Sequence, residues 1–246
     1  LKILHLDIET APNLAHVWGL WQQNVALNQL MASGYILCWA AKWDGQPEVF
    51  FDSVHQSSQK KMLRGIHRLL NEADAVVTYN GVSFDMPTLN GEFIQQNMAP
   101  PAPYENIDLL LAVRKRFRLP SYKLEYVARH LGVGSKVKHE GHPLWVRCMN
   151  GDEAAWCKME RYNKGDVRLQ ERVYHRILGW IPNHPNRALY VDDANPMCRN
   201  CGSKALIRQG ERRTREQRYA RYQCGDCGAW CRGNNKLAQP TKRRAA

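Results

Sequence analysis

The sequence predicts an α/β fold, a mixed sheet flanked by helices, joined to a small metal-stapled module at its C-terminal end. Three observations carry that reading. Strand-like apolar segments come first and then alternate with amphipathic helical patterns; Pro182, Pro185 and Pro196 frame a polar break; and two C-x2-C pairs follow it. The expected organisation is therefore a large domain over residues 1–181, a linker over 182–196 and a basic cysteine module over 197–246.

Residues 1–10 (LKILHLDIET) read as a buried strand that ends in carboxylates. Residues 34–41 (GYILCWAA) and 47–54 (PEVFFDSV) follow as strands around the turn Asp44-Gly45, so the opening reads as a meander. Met62, Leu63, Ile66, Leu69 and Leu70 recur at helical spacing behind the candidate caps Ser57 and Ser58. Residues 75–79 (AVVTY) form a short apolar strand that turns at Asn80-Gly81 into a helix over about 84–97. After Pro100, Pro101 and Pro103, helices are expected over 107–117 and 123–131, the second closed by Gly132. A loop rich in Gly, Lys and His (132–143) precedes a long helix over about 152–178. Trp18, Trp21, Trp39 and Trp43 are assigned to packing rather than to a base platform.

The chain has 246 residues, 44% hydrophobic, enough to bury a full core. No apolar run approaches the 18 or so residues of a membrane span, and no secretion signal is evident, so membrane and secreted classes are disfavoured. Because Leu1 opens inside a strand pattern, the native start is expected upstream or trimmed. The net charge of +12 is lopsided: residues 197–246 hold 13 Lys/Arg against 3 Asp/Glu, leaving the rest close to neutral. A local field of that sign attracts polyanions, nucleic acid first among them.

Asp7 and Glu9 sit two apart on a strand and share a face. Two like charges on a central strand need a cation, unless the strand end simply reaches solvent. Asp85 follows the NGVSF turn, where it either adds a third carboxylate or caps the helix ahead of Pro87. Tyr162 and Asp166 lie one helical turn apart, on the stripe continued by Leu169 and Val173, so the aspartate points inward and needs a partner. His139 and His142 in KHEGH are left between a phosphate contact and none.

Taken together, Asp7-Ile-Glu9, Asn80-x3-Phe84-Asp85 and Tyr162-x3-Asp166 resemble, in order, the three motifs of DEDD 3′→5′ exonucleases. Arg161 stands where the histidine subclass would carry its His, so the resemblance is to the tyrosine subclass (DEDDy). That group includes polymerase-B-like proofreading domains and stand-alone bacterial and phage proteins. The resemblance covers about residues 1–180 and implies an RNase-H-like fold, two Mg²⁺ or Mn²⁺ ions, and hydrolysis of phosphodiesters from single-stranded ends. It further implies that Asp7 bridges both ions, that Glu9 and Asp166 complete the water-activating one, and that Asp85 holds the other. Tyr162 would orient the attacking water, while Asn80 and Phe84 would line the terminal nucleotide. Carboxylates suit such hard cations, and a pair of ions about 3.5 to 4 Å apart can activate water and relieve the leaving oxygen.

Cys198-x2-Cys201 and Cys224-x2-Cys227, 22 residues apart, predict a structural zinc ribbon, with Cys231 a possible substitute for Cys227. Between the knuckles, Arg212, Arg213, Arg215, Arg218 and Arg221 are interleaved with Tyr219 and Tyr222, a composition suited to phosphate contact and base stacking. Lys242, Arg243 and Arg244 extend the basic tail. Nucleic acid is the expected partner, DNA favoured over RNA, in the cytoplasm of a bacterial or phage-infected cell. Two other readings compete: a catalytically silent nucleic-acid-binding protein, and a structure-selective nuclease on the same fold.

Overall fold

The computed structural model describes residues 1–193 and 195–238. The chain divides into two compact units, one over Lys2–Arg176 and one beginning at Ile177. No helix among the described residues is long and apolar enough to cross a membrane.

The larger unit is a five-stranded mixed sheet in the order β5-β4-β1-β6-β7. Strand β1 (Ile3–Thr10) lies at its centre, antiparallel to β4 (Ile36–Trp43) and parallel to β6 (Ala75–Thr78). The outer strands are β5 (Phe50–Ser53), antiparallel to β4, and β7 (Glu105–Asp108), parallel to β6. Between β1 and β4 the chain makes a small hairpin of β2 (Leu14–Ala15) and β3 (Leu30–Ala32).

Alternation along β1 sorts its side chains between two layers. Leu4, Leu6 and Ile8 join a core with Met62, Leu63, Ile66 and Leu70 of α1 (Gln59–Glu72) and Met86, Leu89 and Phe93 of α2 (Asp85–Gln95). His5, Asp7 and Glu9 take the other face, towards the long helix α6 (Glu153–Ile177). There Leu37 and Cys38 of β4 pack with Trp156, Met159 and Tyr162 of α6 and with Leu144 and Cys148 of α5 (His142–Met149). Ser58 caps α1 by accepting from the Lys61 amide at 3.4 Å.

Two segments differ from the sequence reading. Residues 105–108 form the edge strand β7, taking Ile107 and Asp108 out of the helix expected over 107–117, because the segment registers against β6 from Ala75↔Glu105 to Thr78↔Asp108. Asp108 then caps α3 (Leu109–Arg116), accepting from the Leu110 and Leu111 amides. Helix α4 (Leu124–His130) follows. The loop expected through residue 143 ends early, since α5 begins at His142 with Pro143 in its first turn, a position that costs no hydrogen bond.

In the smaller unit, β8 (Leu206–Arg213), β9 (Arg218–Cys224) and β10 (Trp230–Lys236) form an antiparallel sheet in the order β10-β9-β8. Its core is the cysteines themselves with Ala229 and Leu206.

Candidate active site

Strands β1, β6 and β7 run parallel, and the polar groups gather at their carboxyl ends, where open α/β sheets place their sites. Asp7 and Glu9 come from the end of β1, and Asp166 faces them from α6. One carboxylate oxygen of each lies within 4.8 Å of the others. Asp85 approaches from the side: its Oδ1 accepts from the Ile8 amide at 3.1 Å, so it is held against β1 between the other two strand carboxylates. The helix cap is Phe84, which makes no side-chain cap bond, so Asp85 reaches across to β1 instead of serving as the cap.

The turn that delivers Asp85 is built for its place. Asn80 adopts a left-handed φ of +74°, a conformation Asn tolerates. The Asp108 carboxylate accepts from the Asn80 amide at 3.1 Å and the Val82 amide at 3.2 Å, anchoring the loop to β7. A side chain at Gly81 would collide with Thr78, so only glycine closes the turn. Phe84 stays 44% exposed beside Asp85, free to present its ring.

Three contributors were not legible in the sequence. Asn163, fully buried on α6, donates to Asp7 Oδ2 at 2.6 Å and fixes that carboxylate's orientation. Lys136 places its Nζ 2.6 Å from Asp166 Oδ2 and 3.1 Å from the Tyr162 hydroxyl. Trp145 of α5 acts to lower the Glu9 carboxyl against the larger effect of burial, and stands edge-on to the Tyr162 ring at 5.9 Å. His139 lies beside the site, its ring centroid 4.5 Å from that of Tyr162. His142 begins α5 and is exposed.

The electrostatics show a charge deficit. Burial first, and then mutual repulsion, push Asp7 well above the usual carboxylate range. Glu9 is pushed up to about 8 by burial and by Asp166, and Asp85 to about 7 by burial. Burial also raises Asp166 despite the opposing pull of Lys136. Burial works against the Lys136 ammonium, yet Asp166 and Tyr162 outweigh it and raise its pKa above the usual lysine range. One lysine does not neutralise four carboxylates. Asp166 Oδ1 is moreover buried without a hydrogen-bond partner among the described residues. An all-oxygen donor set with an orphaned buried oxygen fits a hard divalent cation such as Mg²⁺ or Mn²⁺.

A second group, His5, Asp44 and Glu171, also brings ligand-type atoms within 4.8 Å of one another. Its charges already have partners: Lys42 pairs with Glu171, and His175 sits 3.0 Å from Asp44.

A family model described as RNase_H superfamily matches residues 4–178. The chain belongs to the RNase_H superfamily. No curated protein matches it. Among solved structures, the superfamily fold of this chain is similar to that of a family B DNA polymerase from the hyperthermophilic archaeon Pyrobaculum calidifontis. The TM-score is 0.53 at 21% identity, over 73% of this chain and 25% of the polymerase. The chain therefore spans about a quarter of that polymerase's length.

In the second unit, Cys198, Cys201, Cys224 and Cys227 converge with their sulfurs within 4.8 Å of one another. Cys198 Sγ is 3.5 Å from Cys227 Sγ, and Cys201 Sγ is 3.5 Å from Cys224 Sγ. Burial raises Cys201 to about 11 and Cys227 further still, whereas at Cys224 amide and thiol hydrogen bonds outweigh burial and bring it down to about 7. Four thiols at tetrahedral-type spacing fit one closed zinc shell. Cys231 lies on β10 opposite Tyr222, outside that cluster.

The arginines divide by environment. Arg212 and Arg213 at the end of β8 and Arg215 in the following turn are exposed. Arg218 is engaged with Glu211 at 3.2 Å, and Arg221 donates to the Gln209 carbonyl while covering the Trp230 ring at 4.9 Å. Tyr219 is half-buried beneath the Arg232 guanidinium, 4.2 Å from its centroid. Lys242, Arg243 and Arg244 lie outside the described residues.

Proposed function

We propose that the chain is a 3′→5′ exonuclease acting on single-stranded nucleic-acid ends, DNA in preference to RNA, with two divalent ions at the carboxylate cluster and one structural zinc in the C-terminal module. The convergence of Asp7, Glu9 and Asp166 from facing elements, with Asp85 bonded to the same strand, is the observation that supports it most. Asp7, Glu9 and Asp166 would hold one ion and Asp7 with Asp85 the other. Bound there, such ions supply Lewis acidity for water activation and for the leaving oxygen.

The chain's own groups do the rest. Asn163 keeps the Asp7 carboxylate aimed. Tyr162, whose hydroxyl shares the Lys136 ammonium with Asp166, orients the attacking water. Lys136 places a positive charge at the same hydroxyl, where the scissile phosphate's oxygens gain negative charge. Asn80 and Phe84 line the terminal nucleotide, Phe84 by stacking. Arg212, Arg213 and Arg215 contact phosphates, while Arg218, Tyr219 and Arg221 shape the surface that presents them.

The test is degradation of 5′-labelled single-stranded DNA, duplex DNA and RNA side by side, with Mg²⁺ and with EDTA. A ladder shortened stepwise from the 3′ end, abolished by EDTA and by Asp7→Ala or Asp166→Ala, is expected. Internal cleavage, or an active Asp7→Ala chain, would remove the assignment.

A further inference from the structure

Trp18 and Trp21 do not pack. They are 97% and 85% exposed, with Leu20 at 90% and Leu27 at 89%, whereas Trp39 is buried and donates its indole N–H to the Met62 carbonyl. Large apolar groups in water on this scale signal a contact surface.

The segment bearing them is held on a built stem. Leu14 pairs with Ala32 and Ala15 with Leu30, the Ala11 amide bonds the Tyr35 carbonyl at 2.8 Å, and Asn13 accepts from the Gly34 amide at 2.7 Å. Above the stem, Gln29 ties both arms, donating to the His16 carbonyl and accepting from the Ala26 amide. The stem leaves the central sheet at the pair Thr10↔Ile36, one residue past Glu9. The apolar tip is thus rooted at the carboxylate cluster.

Its composition narrows the partner. From 11 to 35 there is no Lys, Arg, Asp or Glu, so the segment brings no fixed charge to pair with phosphates or with a charged protein face. It offers aromatic planes and side-chain amides, Gln22, Gln23, Asn24 and Asn28 among them, which suit the faces and edges of nucleobases. Between its arms runs a groove of about 420 Å³, lined by Val17, Val25, Leu27 and Leu30, with Asn13 at its edge.

We propose that Trp18 and Trp21 form a base-stacking platform for the single strand whose end enters the carboxylate site. The inference rests on the exonuclease reading for its substrate but not for its measurement. Binding is read by fluorescence anisotropy of a dye-labelled strand, on the whole chain with zinc in the module and no Mg²⁺ or chelator added, using an oligothymidylate and an abasic strand of equal length. Trp18→Ala/Trp21→Ala is expected to weaken oligothymidylate binding at least ten-fold and abasic binding less than two-fold, with the same salt dependence, since no charge is removed. Trp18→Phe/Trp21→Phe should restore most of the affinity. Equal affinity of the Ala variant and the parent, equal losses on both strands, or a parent that does not bind oligothymidylate overturns the platform. So does a parent that self-associates through these residues in sedimentation. Failure of the exonuclease reading shows separately, as a parent that binds the strand and never shortens it in Mg²⁺.

Discussion

Replacing Lys136 by Met isolates the charge balance of the cluster. Lys136 Nζ sits 2.6 Å from an Asp166 that is only 2% exposed, so its removal leaves a buried carboxylate unpaired. Truncating one partner of a fully buried ion pair costs roughly 3–5 kcal/mol. The lysine end is 31% exposed, and solvent screening there reduces the figure to about 2 kcal/mol. For a chain of this size that is a fall of roughly 4–8 °C in Tm. The loss has a pH signature. Without the ammonium, the folded-state pKa of Asp166 rises further above its unfolded value. The stabilisation from such a group is complete below the unfolded pKa and is lost as pH rises through the folded one. The penalty therefore appears at pH 8 and shrinks towards pH 5. Saturating Mg²⁺ should restore most of the stability, because a cation held by Asp166 replaces the missing charge. The assay is thermal unfolding of parent and Lys136→Met at pH 5, at pH 8, and at pH 8 with Mg²⁺. A deficit of equal size in all three buffers would refute the reasoning, since it would mean that Lys136 contributes packing alone.

Other expectations follow from the same geometry. Asn163→Ala removes a hydrogen bond to the Asp7 carboxylate at 2.6 Å, a bond to a charged group worth about 1.5–3 kcal/mol, so turnover should fall roughly 10- to 100-fold with strand binding retained; unchanged turnover excludes a positioning role. Because Glu9 holds its proton up to about 8 and Asp85 to about 7, Mg²⁺ binding must displace protons, and calorimetry should find its apparent affinity climbing from pH 6 to 9; a flat profile contradicts this. Asp108→Ala deletes a helix cap and the anchor of the Asn80 turn, together about 2–3 kcal/mol, seen as a lower denaturant midpoint and faster amide exchange at residues 80–82. Stripping zinc with a chelator should release exchange protection across β8, β9 and β10 and leave it intact in β1 and β6; protection surviving in both would show that the cysteines hold no stabilising metal.

Much of this architecture was legible because it is written in short periods. The alternation of β1, the five-residue stripe of α1 and the four-residue step from Tyr162 to Asp166 each declare a face, and the faces meet. Glycine and asparagine punctuated the Asn80 turn for steric reasons that any chain shares. What escaped was set by distance along the chain. Lys136 lies in a Gly-rich loop with no period, and only the fold carries it to Asp166, thirty residues on. Asn163 sits beside Tyr162 on the helix and looks like an ordinary polar position until β1 is laid against it. Helix α5 offered only Pro143 and the Leu144/Cys148 spacing, too short a run to separate from loop. Ile107 and Asp108 were absorbed into the following helix because a four-residue edge strand has almost no signature apart from its neighbour. Trp18 and Trp21 were misjudged for the opposite reason: aromatic composition suggests burial, and nothing local says that a segment stands out from the sheet.

The two-faced strand at the centre of the sheet has a consequence for quality control. Slipping β1 by one residue would turn Asp7 and Glu9 into the oily layer and Leu6 and Ile8 to the carboxylate side, forfeiting the core and the carboxylate cluster in a single error. A misaligned copy therefore cannot persist as a stable but blunt molecule, nor as an active but loose one. An assembled carboxylate cluster is its own certificate of a correctly aligned sheet.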